Sequence, residues 1–251
     1  MRIPLLSARP VPVQPRNVPG TFSLRSRMGR FCRTMLLAAL LCIPAIPCAT
    51  PQAGESPRGR AVHCYDGDTL KLADGRKVRL LGIDTPEVAH GDSPAQFYAA
   101  EATALLQQTV RGRELSLRAA GGQDRDHYKR LLADVRLEDG SSVNQLMVRE
   151  GAAFVYMHKD NDPDYVRTLL QLQREAMQAG RGMWGPLKTM PAWRARYVGN
   201  RNSHRFFPEG CAAAGNINPR NRVTFDSLGA AFEAGFAPAR ICPFWPDAGD
   251  R

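Results

Sequence analysis

Two segments within residues 66–87 of the chain together supply four carboxylates and one arginine. The segment DGDT supplies Asp66 and Asp68, and the segment KVRLLGIDTPE supplies Arg79, Asp84 and Glu87. Carboxylates this close together repel one another unless a cation lies among them. Because the donor atoms are all oxygen, a bound cation would be Ca²⁺ or Mg²⁺ rather than zinc. The segment predicts either such a cation site or acidic turns that water solvates.

Arg79 is unusual because it interrupts the apolar run VRLLGI. On a half-buried strand, alternate side chains face opposite sides, so Arg79 would share its face with Leu81. Val78 and Leu80 would then occupy the other face. Beside a carboxylate cluster, an arginine either forms a structural ion pair or binds a phosphate, for which its planar fork of donors is suited.

A second polar group lies about forty residues later, in DHYKRLLADV, where Arg130 opens a strand pattern and His127 and Tyr128 precede it. Taken alone, Arg130 is equally well explained as a surface charge at a strand edge. What distinguishes a functional residue from a surface charge is the combination in the sequence. Acids, an arginine in an apolar run and a second arginine each lie at a strand end or in a loop.

The elements that would position these residues begin with short strands. Asp74-Gly75 favours a hairpin turn between the strand patterns TLKLA and KVRLLGI, which would place the two polar segments side by side. AVHCY precedes this hairpin, and ELSLRA, RLLADVRL and AAFVYM follow it. Five or six short strands with a few helices fit a small closed barrel better than a sandwich.

Three helices are expected between and after the strands. Ser93, followed by Pro94 and Gln96, predicts an N-terminal cap before QFYAAEATALLQQTV. VNQLMVRE would end at Gly151, and Asp162-Pro163 would open a third helix that continues to Gly180. The apolar stripe of this third helix, which includes Leu169 and Ala176, is interpreted as core.

In this order and with similar spacings, DGDT, RLLGIDTPE, DHYKR and VNQLMVREGAAFVY resemble the staphylococcal nuclease family over about residues 60–187. The resemblance implies a mainly β structure with α, an OB-fold with a five-stranded barrel and about three helices. It implies a calcium-dependent nuclease that hydrolyses phosphodiester bonds in DNA and RNA with low sequence specificity and leaves 3′-phosphate ends. A barrel that binds nucleic acid or protein without cleaving it is the alternative.

The resemblance also implies roles for the acidic residues. Asp68 and Asp84 match the carboxylate ligands of calcium, with the backbone carbonyl of Thr85 beside them. Glu87 matches the residue that positions or deprotonates the attacking water. Asp66 is expected to shape the turn and to support the ligands.

The same resemblance assigns the basic and aromatic residues to the substrate. Arg79 and Arg130 match the two phosphate-binding arginines, and His127 and Tyr128 match residues that touch the phosphate and base of a nucleotide. Lys129 departs from the family, which commonly has glycine before the second arginine. This departure would alter the local turn or add a phosphate contact.

The net charge is concentrated at the N-terminus. Residues 1–50 hold seven arginines and no acid, whereas residues 60–188 hold 18 basic and 18 acidic residues. Nucleic-acid affinity of the second region would therefore come from the placement of charges, not from their sum. DNA and RNA are expected as substrates of a monomer without a stable protein partner.

Residues 1–49 are interpreted as a leader, with Met28 as an alternative start. Arg30 and Arg33, the apolar run TMLLAALLCI and the small residues of PAIPCAT are typical of a signal peptide. We expect export to the periplasm or the medium, with only transient membrane contact. An uncleaved membrane anchor is the alternative. Residues 50–59 would be a linker, 60–187 the nuclease-like domain and 188–251 a small C-terminal module.

The C-terminal module resembles a cysteine-bearing segment that follows some bacterial nucleases of this family. Phe207 stands where we expect a histidine and Ala239 where we expect a cysteine, which leaves Cys211 and Cys242 short of the four ligands of a structural zinc site. A disulfide is the preferred interpretation. Free thiols, or zinc held with His204, are the alternatives. Arginines and aromatic residues interleaved after Met190 form either a solvated face or a surface for stacking and phosphate contacts.

Overall fold

The computed structural model describes residues 56–120, 122, 124–242 and 244–245, which form part of one compact unit. The leader and the first residues of the linker, with the predictions made for them, lie outside the described residues. Among the helices of the described part, none has the length and apolar composition needed to cross a membrane.

Short strands form the first half of the described chain. In chain order they are β1 (Arg58–Cys64), β2 (Thr69–Leu72), β3 (Lys77–Leu80), β4 (Ile83–Asp84), β5 (Glu114–Arg118), β6 (Leu131–Arg136) and β7 (Phe154–Val155). A closed barrel forms in the order β1-β2-β3-β6-β5. Its β3 and β6 are parallel, and the other neighbours are antiparallel. The predicted five-stranded OB-type barrel is therefore confirmed.

The hairpin between β2 and β3 has the predicted turn. Gly75 has a φ of 89°, a left-handed conformation that glycine adopts without steric cost. Val78 and Leu80 are buried in the barrel core, as the strand alternation predicts. Arg79, between them in sequence, therefore projects from the opposite face of β3.

The strand predicted over AAFVYM is shorter than expected. Only β7 is extended, and it pairs with β4 in a separate two-stranded sheet instead of joining the barrel. In this pairing Asp84 lies opposite Phe154, which is buried. The short sheet therefore fixes the backbone position of one candidate site residue.

Three main helices accompany the barrel: α1 (Ala99–Val110), α2 (Val143–Arg149) and α3 (Pro163–Ala179). The cap predicted for the third helix is confirmed, because the Asp162 carboxylate accepts hydrogen bonds from the backbone N–H groups of Asp164 and Tyr165. Leu169 and Ala176 are fully buried, so the apolar stripe of α3 is core.

The cap predicted at Ser93 is wrong. Ser93 forms two backbone hydrogen bonds with His90, and α1 begins only at Ala99. The segment between Ser93 and Ala99 instead contacts Glu87. The side-chain oxygen of Gln96 accepts a hydrogen bond from the N–H of Glu87 at 2.8 Å, and the Gln96 N–H donates to the Glu87 carbonyl at 2.9 Å. The segment that resembles a helix start is therefore a loop that holds Glu87.

A short series of elements completes the described chain. In chain order they are α4 (Trp184–Leu187), α5 (Pro191–Arg194), β8 (Tyr197–Asn200), β9 (Arg205–Pro208), α6 (Ala212–Gly215), a 3-10 helix (Pro219–Asn221), β10 (Arg222–Phe225), α7 (Leu228–Glu233) and β11 (Ala237–Pro238). The strands form one sheet in the order β10-β8-β9-β11. Cys211 and Cys242 form a disulfide, which agrees with the preferred interpretation. The division at residue 188 stays a prediction.

An aromatic cluster connects this C-terminal sheet with the preceding elements. Phe154 and Trp184 pack against Phe232, and Phe232 contacts Phe206. The buried Gln173 side chain accepts a hydrogen bond from the Val155 N–H and donates one to the Phe232 carbonyl, both at 2.7 Å. The C-terminal sheet therefore shares a hydrophobic core with the helices of the nuclease-like region.

Asn144 on α2 ties the end of β3 to β6. Its fully buried amide donates to the carbonyls of Leu81 and Ala133 at 2.9 and 3.0 Å and accepts from the Val135 N–H at 3.0 Å. Leu81 lies just before β4, which carries Asp84. The buried Asn144 amide thus forms hydrogen bonds with three backbone groups. They lie on β6 and just after β3, next to the segment that carries Asp84.

We predict that Asn144→Ala lowers the free energy of unfolding by about 3 kcal/mol, because it leaves buried backbone groups without partners. Urea denaturation of the two proteins measures the difference. Gln145→Ala, on the same helix, is the control and should cost less than about 1 kcal/mol. Equal effects of the two substitutions would contradict the role given to Asn144.

Candidate active site

The Arg79 guanidinium lies between two buried carboxylates. Its Nη1 is 2.8 Å from Asp68 Oδ2, and its Nη2 is 2.6 Å from Asp84 Oδ1. Asp68 immediately precedes β2, Arg79 lies on β3, and Asp84 ends β4. In the ladder between β2 and β3, Arg79 pairs with Thr69, the neighbour of Asp68. The strand register therefore places the arginine beside the first acid, and the β4–β7 sheet supplies the second.

Hydrogen bonds from three sides fix the Asp68 carboxylate. Its Oδ2 accepts from the Thr85 N–H at 3.1 Å and from the Thr85 hydroxyl at 3.2 Å, and its Oδ1 accepts from the Thr69 hydroxyl at 2.9 Å. The Asp68 N–H donates to the Asp66 carboxylate at 2.9 Å. Asp66 thus shapes the turn. Its support of calcium ligands stays a prediction.

Gly67 allows this turn to pack closely. A Cβ at this position would lie 2.8 Å from the Cβ of Ala102 and 2.9 Å from the side chain of Thr85. Both distances are shorter than a carbon–carbon contact can be. A larger residue would displace Thr85, which holds Asp68.

The electrostatics of the cluster follow from its burial. Burial raises the pKa of Asp68 well above its usual value, and the nearby Arg79 charge only partly offsets this effect. Burial also opposes the charged form of Arg79, but Asp68 and Asp84 outweigh it and keep the arginine pKa above its ordinary value. The arginine therefore remains charged between the two acids.

The oxygen atoms of the acid cluster can be compared with the ligands that a divalent cation prefers. Two carboxylates and the Thr85 backbone carbonyl are hard oxygen donors, which suit Ca²⁺ or Mg²⁺ when water completes the coordination. Among the described residues, no group of three or more His, Cys, Asp or Glu side chains is arranged to hold a metal ion. Three protein oxygens would leave several positions for water on a cation that takes six or more ligands.

Glu87 lies at the edge of this cluster. Gln96 holds its backbone on both sides, and its Oε1 is 2.8 Å from Nη2 of Arg240. The same nitrogen is 3.3 Å from Asp84 Oδ1. Burial raises the pKa of Glu87, and the Arg240 charge opposes this effect.

Arg130 is held by an acid that sequence reasoning did not single out. Its Nε is 2.7 Å from Asp126 Oδ2, and its Nη1 donates to the Thr69 hydroxyl at 3.2 Å. Thr69 in turn donates to Asp68, so one hydrogen-bonded chain connects Arg130 with the acid pair. Burial acts to raise the pKa of Asp126, but its hydrogen bonds with Arg130 outweigh this and lower it. The sequence did contain an indication of this ion pair, because Asp126 is the first residue of the segment DHYKR, which ends with Arg130.

Aromatic rings lie next to Arg130. The His127 and Tyr128 ring centres are 3.7 Å apart, and the Arg130 guanidinium lies 5.3 Å from the centre of the Tyr128 ring. Tyr128 is 67% exposed, unusually high for a large ring. These residues, together with Arg79 and Arg240, line a cleft of about 440 Å³.

The structure therefore brings the residues predicted from the sequence into one region. The acid cluster contains Asp68, Arg79, Asp84 and Thr85, Glu87 adjoins it through Arg240, and the cleft is lined by Arg79, His127, Tyr128 and Arg130. Their individual roles stay predictions at this point. Asp126, Gln96 and Arg240 are the additions that the structure makes.

Comparison with known proteins identifies the family. The family model described as staphylococcal nuclease homologue matches residues 77–186. An uncharacterized endonuclease of Escherichia coli O157:H7 is 38% identical over 138 residues, which make up 54% of this chain and 82% of that protein. The chain belongs to the staphylococcal nuclease family. The resemblance stated from the sequence is therefore confirmed.

Two further relatives, both named as endonucleases, are similar over comparable lengths. An uncharacterized endonuclease of Haemophilus influenzae is 33% identical over 156 residues, or 61% of this chain and 79% of that protein. Endonuclease YncB of Bacillus subtilis is 33% identical over 139 residues, or 54% of this chain and 62% of that protein.

Lys129 is the departure from this nuclease family noted in the sequence, and it adopts a left-handed conformation with a φ of 66°. A side chain costs energy there, whereas glycine does not. The residue ends a tight turn in which its N–H donates to the Asp126 carbonyl at 2.9 Å. The glycine that is common in the family thus fits the backbone of this turn better than lysine does.

We predict that Lys129→Gly raises the free energy of unfolding by about 1 kcal/mol, because it removes this strain. Lys129→Ala removes the same charge but keeps the strain, so it should give no increase. Chemical denaturation of the three proteins measures the effect. A stabilisation of equal size in both variants would mean that charge, not backbone strain, is responsible.

Proposed function

We propose that the protein is a calcium-dependent nuclease that hydrolyses phosphodiester bonds in DNA and RNA with low sequence specificity and leaves 3′-phosphate ends. The observation that carries this proposal is the buried pair Asp68 and Asp84, joined by Arg79 beside a cleft that Arg130 also lines. Membership of the staphylococcal nuclease family, and relatives named as endonucleases, support nuclease activity and a nucleic-acid substrate.

The cation would be held by the carboxylates of Asp68 and Asp84 and the carbonyl of Thr85. When bound, it would stabilise negative charge on phosphate oxygens as a Lewis acid. The same donors suit Mg²⁺, which also binds through one or two carboxylates and keeps its waters. The resemblance to the family favours Ca²⁺.

Glu87 is the proposed residue for the attacking water. Its carboxylate is partly exposed at the edge of the acid cluster, and the Gln96 hydrogen bonds keep its backbone in place. It would position the water, or take its proton, beside the phosphate. Because orientation alone contributes strongly to such a reaction, the fixed backbone of Glu87 supports this role.

Arg79 and Arg130 are the proposed phosphate ligands. Attack of hydroxide on a phosphodiester develops negative charge on the equatorial oxygens and on the departing 5′ oxygen. Two guanidinium groups aimed at that charge stabilise it, and loss of one such donor typically costs about 3–4 kcal/mol in barrier height. The phosphate would displace part of the contacts that now join Arg79 to the acids.

Low specificity follows from the kinds of contact available. Guanidinium groups read phosphate, which is the same at every nucleotide. The exposed Tyr128 ring, beside His127, offers a surface for stacking, and stacking tolerates every base because each has a π face.

The activity is tested by incubating the purified protein with single-stranded DNA or RNA, in Ca²⁺, in Mg²⁺ or in a chelator. We expect cleavage with Ca²⁺, and products that a polymerase extends only after phosphatase treatment. Glu87→Gln and Arg79→Gln should each lower kcat by about 100-fold or more. The matched control is Asp92→Asn, an exposed acid of the same loop, which should retain activity.

Three results would contradict parts of this proposal. Intact nucleic acid in every condition, with folded protein, would favour the alternative of a barrel that only binds. Equal cleavage with Mg²⁺ would contradict calcium dependence, and products extended without phosphatase would contradict 3′-phosphate ends.

We also propose that the protein acts as a monomer exported to the periplasm or the medium. The Cys211–Cys242 disulfide supports export, because disulfides persist in oxidising compartments. In the native host, we expect the nuclease in the osmotic-shock or culture fluid, with this disulfide formed. Recovery of all the protein from the cytoplasm would contradict export. Recovery of all the protein from the membrane pellet would instead indicate an uncleaved membrane anchor and would also contradict this proposal.

A further inference from the structure

Arg240 brings a third guanidinium group to the active site from beyond the segment that matches the family. The family model ends at residue 186, whereas Arg240 follows β11. Its Nη2 is 2.8 Å from Glu87 Oε1 and 3.3 Å from Asp84 Oδ1. It also lines the same cleft as Arg79 and Arg130. The C-terminal segment therefore contributes a charge directly to the proposed catalytic region.

The three arginines differ in how accessible they are to a substrate. The Arg79 side chain is 10% exposed, and both of its terminal nitrogens contact carboxylates. Arg130 is held through Nε by Asp126 and through Nη1 by Thr69. The Arg240 side chain is 66% exposed, and both of its contacts with acids are made through Nη2. A guanidinium has five N–H donors, so the three on Nε and Nη1 take no part in those two contacts.

The backbone on both sides of Arg240 is anchored. Before it, β11 pairs with β9, and the Ala239 N–H donates to the Phe206 carbonyl at 2.9 Å. After it, Cys242 is joined to Cys211, which follows β9. The arginine is therefore presented by a short segment that is held at both ends on the C-terminal sheet.

We propose that Arg240 is a third phosphate-binding residue of this active site, held in place by the Cys211–Cys242 disulfide. The proposal rests on the proposed function, because it concerns the same substrate and the same cleft. Residues 60–188 carry equal numbers of basic and acidic residues, 18 of each, so they supply no net attraction for a polyanion. Arg240 adds positive charge where the nucleic-acid backbone would pass.

The contacts that Arg240 makes with Asp84 and Glu87 are compatible with this role. The ion pair of Arg240 with Glu87 joins two side chains that are 66% and 43% exposed, so water screens it and it contributes little to stability. Arg240 can therefore exchange its contact with Glu87 for a phosphate oxygen at small cost. A side chain that served to block the cleft would instead have to be released before substrate could bind.

The test is the binding of fluorescently labelled single-stranded DNA in a chelator, followed by anisotropy over a series of salt concentrations. Arg240→Gln should weaken binding roughly tenfold. It should also reduce the slope of log Kd against log salt by about 0.7, the value for one phosphate contact on a single strand. Arg240→Lys should retain the slope, because it keeps the charge. The matched control is Arg220→Gln, an exposed arginine of the same C-terminal segment, which should change neither value.

The outcomes separate the possible roles. Unchanged affinity and slope in Arg240→Gln would overturn the proposal. Tighter binding in this variant would also overturn it, and would identify Arg240 as a residue that blocks the cleft. In Ca²⁺, we expect the loss to be divided between KM and kcat. If the wild-type protein binds DNA as expected but cleaves none, the proposed nuclease function fails while Arg240 remains a phosphate ligand.

The positioning role of the disulfide has its own test. Cys211→Ser/Cys242→Ser should weaken DNA binding when Arg240 is present and have no further effect in the Arg240→Gln background. Circular dichroism is used to check that the double-serine variant is folded in both backgrounds. Equal losses in the two backgrounds would overturn the positioning role, because the disulfide would then act on binding by another route. For variants that fail to fold, mild reduction of the disulfide in native protein gives the same comparison.

Discussion

The ion pair network of Arg79 with Asp68 and Asp84 is the interaction on which the site depends. Removing these charges from water is costly, and the cost is recovered only if the partners are held at short distance with their remaining donors and acceptors satisfied. Here the distances are 2.8 and 2.6 Å, and Thr69 and Thr85 satisfy Asp68 further. The surrounding structure must therefore hold three separate strand ends in register.

The barrel, the short β4–β7 sheet and helix α2 each contribute to this register. The β2–β3 pairing sets Arg79 opposite the neighbour of Asp68, and the short β4–β7 sheet sets Asp84. Asn144 connects the end of β3 to β6 by hydrogen bonds with backbone groups. Asp68 lies in the turn between β1 and β2, and Asp84 lies on β4, the short strand that follows β3. The site therefore combines Arg79 from barrel strand β3 with acids from the segments beside it.

Features encoded by neighbouring residues could be predicted from the sequence. The Asp74-Gly75 turn and the Asp162 cap depend on contacts within a few residues, and both are present. Ser93 had the same local signal, but Gln96 makes its hydrogen bonds with Glu87 instead of with a helix, so tertiary contacts decided the conformation. Arg240 lies 156 residues from Asp84 in the chain, and no local pattern reports such a contact. The resemblance over residues 60–187 could not indicate it either, because that segment ends before the C-terminal sheet.

The aromatic cluster that connects Phe154 and Trp184 with Phe206 and Phe232 has a consequence for how this protein can evolve. Domains that exchange by recombination usually have a complete core of their own. Here a break near residue 188 would leave apolar rings on both products exposed to water, and such surfaces promote aggregation. The nuclease barrel and its C-terminal sheet are therefore expected to be inherited together, and substitutions in one half of the cluster should be matched by changes in the other.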